Sequence, residues 1–240
     1  MAQAVRSDID RNDPGRGLDL RKLGMWTFLG SEVFFFGALI VTHLVMRGKA
    51  TAAFPTPNPR ELFGNNAFTS LLAFILLLSS MTMVLSLDAL RRNLIKKFQF
   101  WLGATILCGL FFLGGQVYEF NHLFHEEYNV YTYDANGVAT QVQPSSPVEE
   151  GEGAPEGGIP KQDGLTLRSS MFGSTFFTMT GFHGTHVFVG VIWLTSILVS
   201  SLLHPKRYNS NNYMALEMGG LYWHFVDLVW VAIFTLVYLI

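Results

Sequence analysis

The chain has 240 residues, of which 50% are apolar and 14% are charged, and its formal net charge is −2 at pH 7. A soluble protein of this length carries about a quarter charged residues, so the composition excludes an ordinary soluble domain, and we expect no nucleic-acid partner. The single cysteine, Cys108, excludes an intrachain disulfide and a cysteine metal site.

The N-terminal residues 1–22 are polar and carry charges of both signs, which predicts a cytoplasmic tail rather than a cleaved signal sequence. Five long apolar runs follow, each able to cross about 30 Å of hydrocarbon as a helix. An open sheet cannot satisfy its backbone in lipid. The predicted fold is therefore all-α, a single membrane domain over 23–240 with five transmembrane helices. These helices are predicted at residues 24–46, 66–90, 98–120, 171–203 and 213–240.

The connections between the helices differ in charge. A basic hairpin joins the second helix to the third, and its Arg91, Arg92, Lys96 and Lys97 are candidates for binding lipid headgroups. The outer loop 121–169 holds eight acidic and two basic residues, and its Pro- and Gly-rich middle, 141–164, is predicted to lack regular structure. Eleven of the sixteen lysines and arginines lie on one side of the predicted membrane. The positive-inside rule then places the N-terminus in the cytoplasm and the C-terminus outside.

Ionisable residues within the apolar runs are the main functional signal. The stretch LGSEVFFFG places Glu32 in the first helix. A charge near the bilayer centre costs about 2.5–3.5 kcal/mol on insertion scales, so such residues normally face protein or water. The sequence therefore predicts more than a simple anchor. The other candidates are His183 and His186 on one face of the fourth helix, Glu119 in the third, and a stripe of Glu217, Gly220, His224 and Asp227 in the last.

Two histidine pairs could bind a metal or be ordinary packing residues. His183 and His186 could ligate haem together with His224, but their spacing also suits hydrogen-bonding residues on one helix face. His122 and His125 resemble a metal-ligand pair, although histidines three residues apart are common at a helix end. We expect no metal site at either pair.

Four segments together resemble a known family: GSEVFFFGA, GQVYEF, MFGSTFFTMTGFHGTHVFVGVIWL and YWHFVDLVWVAIF. They are similar, in the same order and spacing, to subunit III of the haem–copper terminal oxidases. The resemblance covers all five helices and fits the five-helix bacterial form of the family. The mitochondrial form has two additional helices at its start, which form one wall of a lipid-filled cleft.

The resemblance implies a non-catalytic subunit of a proton-pumping cytochrome c oxidase in a bacterial inner membrane. Subunits I and II would be its partners and would hold the haems and copper, while this chain would hold no redox centre. It would stabilise subunit I, bind phospholipid and support proton uptake. The family's carbodiimide-reactive glutamate matches Glu32, and the histidine beside it matches His186. Glu32 is therefore expected to be protonated or hydrogen-bonded to His186, since a bare carboxylate in apolar surroundings takes up a proton.

Alternative functions stay open at this point. Subunit III of a quinol oxidase would have a nearly identical sequence. An independent proton channel would need a polar path that reaches both faces of the membrane, and a haem-carrying electron-transfer protein would need axial ligands. The negative charge of the outer loop also suggests contact with cytochrome c or with an upstream electron-transfer complex.

Overall fold

The computed structural model describes residues 20–48, 56–57, 67–125, 130–133, 139–142, 171–210 and 212–239. Five of its helices are long and apolar enough to cross a membrane, which confirms the predicted fold. A short 3₁₀ turn at Pro205–Arg207 precedes the last helix, which continues as a π-helical segment over Phe234–Leu239. The five helices are α1 Leu20–Gly48, α2 Ala67–Arg91, α3 Ile95–His125, α4 Met171–Leu203 and α5 Met214–Ile233.

Two helices extend beyond their predicted bounds by more than one residue. The first begins at Leu20 rather than at residue 24, and α3 continues to His125, five residues beyond the predicted end. Leu123, in the last turn of α3, is buried and anchors that extension. His122 and His125 therefore lie on the helix and not in the outer loop.

Three short strands form an antiparallel sheet, although no strand was predicted from the sequence. The strands are β1 Thr56–Pro57, β2 Val130–Tyr133 and β3 Ala139–Val142, paired in that order. The prediction of no regular structure over 141–164 is therefore wrong for Gln141 and Val142. The rest of that segment, the acidic residues of the loop and residues 1–19 of the predicted tail lie outside the described residues.

The turn between α2 and α3 follows from local hydrogen bonds at Asn93. This residue has a φ of 59°, the left-handed conformation that commonly ends helices and that asparagine tolerates. The amide of Leu94 donates to the carbonyl of Ala89, and that of Asn93 donates to the carbonyl of Leu90. The Asn93 side chain accepts a hydrogen bond from the amide of Ser210. The α2–α3 turn is thus attached to the connection between α4 and α5.

Trp223 of α5 lies at the centre of the bundle. Its ring fills space left by two glycines, because a Cβ at Gly109 of α3 would lie 2.6 Å from the ring and one at Gly190 of α4 would lie 3.0 Å away. Its indole nitrogen donates to the hydroxyl of Ser79 on α2, at 2.9 Å. One side chain of α5 therefore joins three other helices.

The first helix is attached along a narrow seam. Its buried side chains among the described residues are Leu29, Phe36 and His43, seven residues apart, and they pack against α4 and α5. The opposite face is strongly apolar and exposed, with Phe34 82% accessible. Most of the α1 surface is therefore available to lipid or to a partner subunit.

Candidate functional site

The intramembrane pair Glu32 and His186 connects α1 to α4. Glu32 Oε2 lies 3.2 Å from His186 Nε2, and the two side chains are 18% and 17% exposed. Phe36 packs its ring edge-on to the imidazole at 5.0 Å, and Tyr222 donates a hydrogen bond to the His186 carbonyl at 3.0 Å. The structure thus brings together the two residues that the resemblance paired.

The backbone contact of His186 shows which of its ring nitrogens carries a hydrogen. His186 Nδ1 lies 2.7 Å from the carbonyl oxygen of Phe182, which can only accept, so Nδ1 carries a hydrogen. Nε2 is then the nitrogen that faces the Glu32 carboxyl group, at 3.2 Å.

Two further polar contacts attach α1, one near each end. Lys22 Nζ lies 3.0 Å from Glu217 Oε1 at the start of α5. At the other end, His43 Nδ1 lies 2.9 Å from the hydroxyl of Thr175 on α4. His43 was not predicted from the sequence, although it is an ionisable residue within the first apolar run. Polar contacts thus attach the first helix at three positions along its length.

Glu217 is the centre of an ionic cluster at the basic end of the bundle. Its carboxylate contacts Lys22 and also Arg91, whose nitrogen lies 3.5 Å away. The Arg91 guanidinium also lies over the ring of Tyr213, 4.9 Å from its centroid. Glu217 therefore belongs to the helix end, separate from the rest of the predicted α5 stripe.

The four cations of the basic hairpin differ in their surroundings. Arg91 contacts Glu217, and Arg92 pairs with Asp88 at 2.9 Å. Lys96 and Lys97 are exposed and form no ion pair within the described part of the chain. Of the four predicted headgroup ligands, these two lysines thus lack a carboxylate partner among the described residues.

His224 and Asp227, the inner part of the predicted stripe, face α2. The hydroxyl of Ser80 forms a short hydrogen bond with His224 Nδ1, while Asp227 is buried and its Oδ1 has no hydrogen-bond partner among the described residues. Gly220 permits this approach of the two helices, since a Cβ there would lie 3.3 Å from Met83. Ser80 was missed from the sequence because serine in a transmembrane helix commonly bonds its own helix backbone and gives no distinct pattern.

Glu119 belongs to a polar cluster at the end of the bundle opposite the basic hairpin. It is 8% exposed, accepts hydrogen bonds from Thr69 of α2 at 3.2 Å and from Gln116 at 3.0 Å, and interacts with Tyr238. Three helical segments thus contribute to this cluster. None of its other members was selected from the sequence.

His183 is fully buried among aromatic rings and does not join these clusters. It stacks on Trp230 at 5.0 Å and meets Phe112 edge-on at 5.8 Å. Its ring nitrogens have no hydrogen-bond partner within the described residues. The described part of the chain contains no group of three or more histidine, cysteine or acidic side chains placed to hold a metal ion.

The polar residues form separate clusters along the bundle and not a continuous path. Asp227 and Tyr238 are separated by about 16 Å along the helix at about 1.5 Å per residue, and Trp230 and Ile233 fill that interval as buried side chains. The arrangement can hold protons at distinct buried carboxylates and can fix the helices to one another. Among the described residues it offers no polar route from one end of the bundle to the other.

Comparison with known proteins agrees with this architecture. A family model described as cytochrome c oxidase subunit III matches residues 161–240. The chain is 34% identical to cytochrome c oxidase subunit 3 of Bacillus subtilis, over 90% of this chain and 84% of that protein. It is 33% identical to cytochrome c oxidase subunit 3 of Alkalihalophilus pseudofirmus, over 90% and 85% of the two chains. Quinol oxidase subunit 3 of Bacillus subtilis is 32% identical, over 92% and 87%. The resemblance found in the sequence is confirmed, and the chain belongs to the subunit III family of the haem–copper oxidases.

Proposed function

We propose that this chain is the non-catalytic subunit III of a proton-pumping cytochrome c oxidase in a bacterial inner membrane. The main support is its similarity to relatives named cytochrome c oxidase subunit 3 over nearly the whole chain. In this proposal, subunits I and II carry the haems, the copper and the oxygen chemistry. The present chain stabilises subunit I and supports proton uptake.

The distribution of charge supports an orientation with the N-terminus in the cytoplasm. The start of α1, the α2–α3 turn and the α4–α5 connection lie at one end of the bundle, and this end holds most of the described cations. They are Arg21, Lys22, Arg91, Arg92, Lys96, Lys97, Lys206 and Arg207. Cytoplasmic ends of membrane proteins carry such an excess of lysine and arginine. The acidic loop after α3 then lies outside, where cytochrome c or an upstream complex would dock.

The exposed apolar face of α1 supports contact with lipid or with subunit I. Trp26 and Phe34 are both exposed on this helix, while its polar contacts point into the bundle. In the proposed complex this face is covered by phospholipid and by a partner subunit. The exposed Lys96 and Lys97 would bind anionic headgroups at the cytoplasmic surface.

Purification of the complex through an affinity tag on this chain tests the proposal. We expect subunits I and II to copurify, with haem absorption, a copper A centre and oxygen consumption supported by reduced cytochrome c. Removing this chain should shorten the time for which the remaining oxidase stays active during turnover. A Soret band from the chain purified alone, or a complex without a haem-containing subunit, would contradict the proposal.

A quinol oxidase is the second candidate, because relatives named quinol oxidase subunit 3 are 31–32% identical to this chain. Cytochrome c and quinol oxidases differ mainly in subunit II, so this chain would have the same role in either. The same purified complex distinguishes them. A quinol oxidase would lack copper A and would consume oxygen with a quinol but not with reduced cytochrome c.

A further inference from the structure

A groove of about 370 Å³ lies between α3 and α4, on the half of the bundle that is farther from the basic hairpin. On α3 it extends from Leu113 to Phe120, and on α4 from Thr180 to Phe188. This is a length of about 10 Å, or two helical turns. Phe188 is 54% accessible, so the groove opens to the surroundings of the bundle.

Two glycines of α4 line the groove without being required by the packing of the described residues. A Cβ at Gly181 or at Gly184 would meet no atom of the described chain within 4 Å. At Gly109 and Gly190, by contrast, a Cβ would collide with the Trp223 ring. Small residues on a transmembrane helix allow the backbone of a second helix to approach closely. The two open glycines therefore fit a helix that the described part of this chain does not supply.

Gln116 gives the same groove a hydrogen-bond acceptor without a donor. The residue is 4% exposed, its Nε2 donates to Glu119 Oε2 at 3.0 Å, and its Oε1 has no hydrogen-bond partner within the described residues. The two threonines of the groove do not supply the missing hydrogen, since each donates to a carbonyl of its own helix. The distances are 2.7 Å for Thr180 and 2.9 Å for Thr185. A buried amide oxygen normally accepts a hydrogen bond, so the donor for Gln116 must come from outside the described chain.

We propose that this groove binds a transmembrane helix of another oxidase subunit, which packs on Gly181 and Gly184 and donates a hydrogen bond to Gln116 Oε1. The inference rests on the proposed function, because the oxidase complex supplies the neighbouring subunit. The partner helix carries a hydroxyl or N–H side chain opposite Gln116.

The depth of Gln116 favours a helix over a loop or a lipid chain. Gln116 lies nine residues before His125, the end of α3, which is about 14 Å along the axis. This position is inside a long apolar span. A loop at this depth would leave its own backbone groups without hydrogen bonds, whereas a helix satisfies them internally. An acyl chain would fill the groove but has no donor for the Gln116 oxygen.

Photocrosslinking in the tagged complex tests which molecule occupies the groove. A benzophenone group is introduced by Phe188→benzoylphenylalanine in the groove and by Phe111→benzoylphenylalanine as the matched control. Phe111 of α3 is 56% accessible and does not line the groove. We expect the Phe188 variant to form an adduct with a transmembrane segment of another subunit, and peptide mapping should show a donor side chain in that segment. The Phe111 variant should form at least about tenfold less of this adduct.

Three results of the crosslinking would overturn the proposal. They are no protein adduct at Phe188 beyond lipid or another part of this chain, a crosslinked segment without a donor side chain, and equal yields at Phe188 and Phe111. Haem absorption and copurifying subunits are measured on the same sample. A complex that assembles without the crosslink therefore counts against the groove and not against the proposed function.

Filling the groove gives a second test. In Gly184→Leu the added side chain enters space that is open in this chain, so thermal unfolding of the purified chain should match that of the wild type. Dissociation of the chain from the complex in detergent should become about tenfold faster, an effect typical of overpacking a close contact. Gly103→Leu is the matched control, because a Cβ there also meets no atom within 4 Å and Gly103 lies outside the groove. Equal dissociation rates for the two variants would overturn the proposal.

Discussion

Enlarging Gly109 should destabilise the bundle, because Trp223 has nowhere to move. A Cβ at Gly109 would lie 2.6 Å from the Trp223 ring and 2.9 Å from Val191, whereas carbon atoms prefer separations of about 3.5–4.0 Å. The ring would have to shift by about 1 Å. The hydrogen bond to Ser79 resists that shift, and so does the close approach of Gly190, where a Cβ would lie 3.0 Å from the same ring.

Overpacking a well-packed core costs about 1–3 kcal/mol, and weakening the Trp223–Ser79 hydrogen bond adds up to about 1 kcal/mol. We therefore expect Gly109→Ala to lose about 2 kcal/mol of the free energy of unfolding, roughly a 30-fold change in the folded-to-unfolded ratio. Gly103→Ala on the same helix is the matched control, because a Cβ there meets no atom within 4 Å. Alanine should leave the stability unchanged or raise it slightly at that position.

Thermal unfolding of the bundle can be followed through the reactivity of the single cysteine. Cys108 lies next to Gly109 on α3 and is partly buried, so a thiol-reactive dye added to the purified chain in detergent reports when this helix unfolds on heating. Gly109→Ala should react at a clearly lower temperature than the wild type, and Gly103→Ala should not. Equal transition temperatures for the two variants would show that Trp223 is not confined as the structure indicates.

Three further measurements test other parts of the chain. A hydrophobic carbodiimide should modify Glu32 in preference to the more deeply buried Asp227, and a water-soluble one should modify neither; peptide mapping showing the reverse order would contradict this exposure. Replacing Lys96 and Lys97 by glutamine should lower the anionic phospholipid retained after mild detergent, since each cation near headgroups contributes about 1 kcal/mol; unchanged lipid content would leave them a topological role. Deleting 143–164, which leaves β3 intact, should weaken the salt dependence of cytochrome c association if the acidic loop steers the donor; unchanged kinetics together with loss of a copurifying complex would indicate a structural contact instead.

The helices were predictable because their number depends on apolar length, which is a local property of the sequence. The ends of the helices were harder to predict. α3 continues to His125 because Leu123 in its last turn is buried, and burial is set by the neighbouring helices. The β2–β3 hairpin was missed although Asn136 and Gly137 lie between two runs rich in β-branched residues, a pattern typical of hairpins.

The partners of the polar side chains could not be predicted from the sequence. Spacing placed Glu217, His224 and Asp227 on one face of the last helix, but it could not show that Glu217 contacts Lys22 while His224 bonds to Ser80. Such partners come from helices far apart in the chain. The pairing of Glu32 with His186 came from the family resemblance, since periodicity relates positions within one helix and not between two.

The position of Trp223 has a consequence for biosynthesis. The last of the five helices is also the most buried, with 56% of its most apolar stretch enclosed against 17% for the first helix. While the chain is being made, the first four helices must enter the bilayer with the space between Gly109 and Gly190 still unfilled. Insertion and closure of the bundle are then separate stages. If synthesis stops before Trp223, four helices are inserted without the side chain that packs between three of them. Such a truncated chain should be a substrate for membrane quality-control proteases.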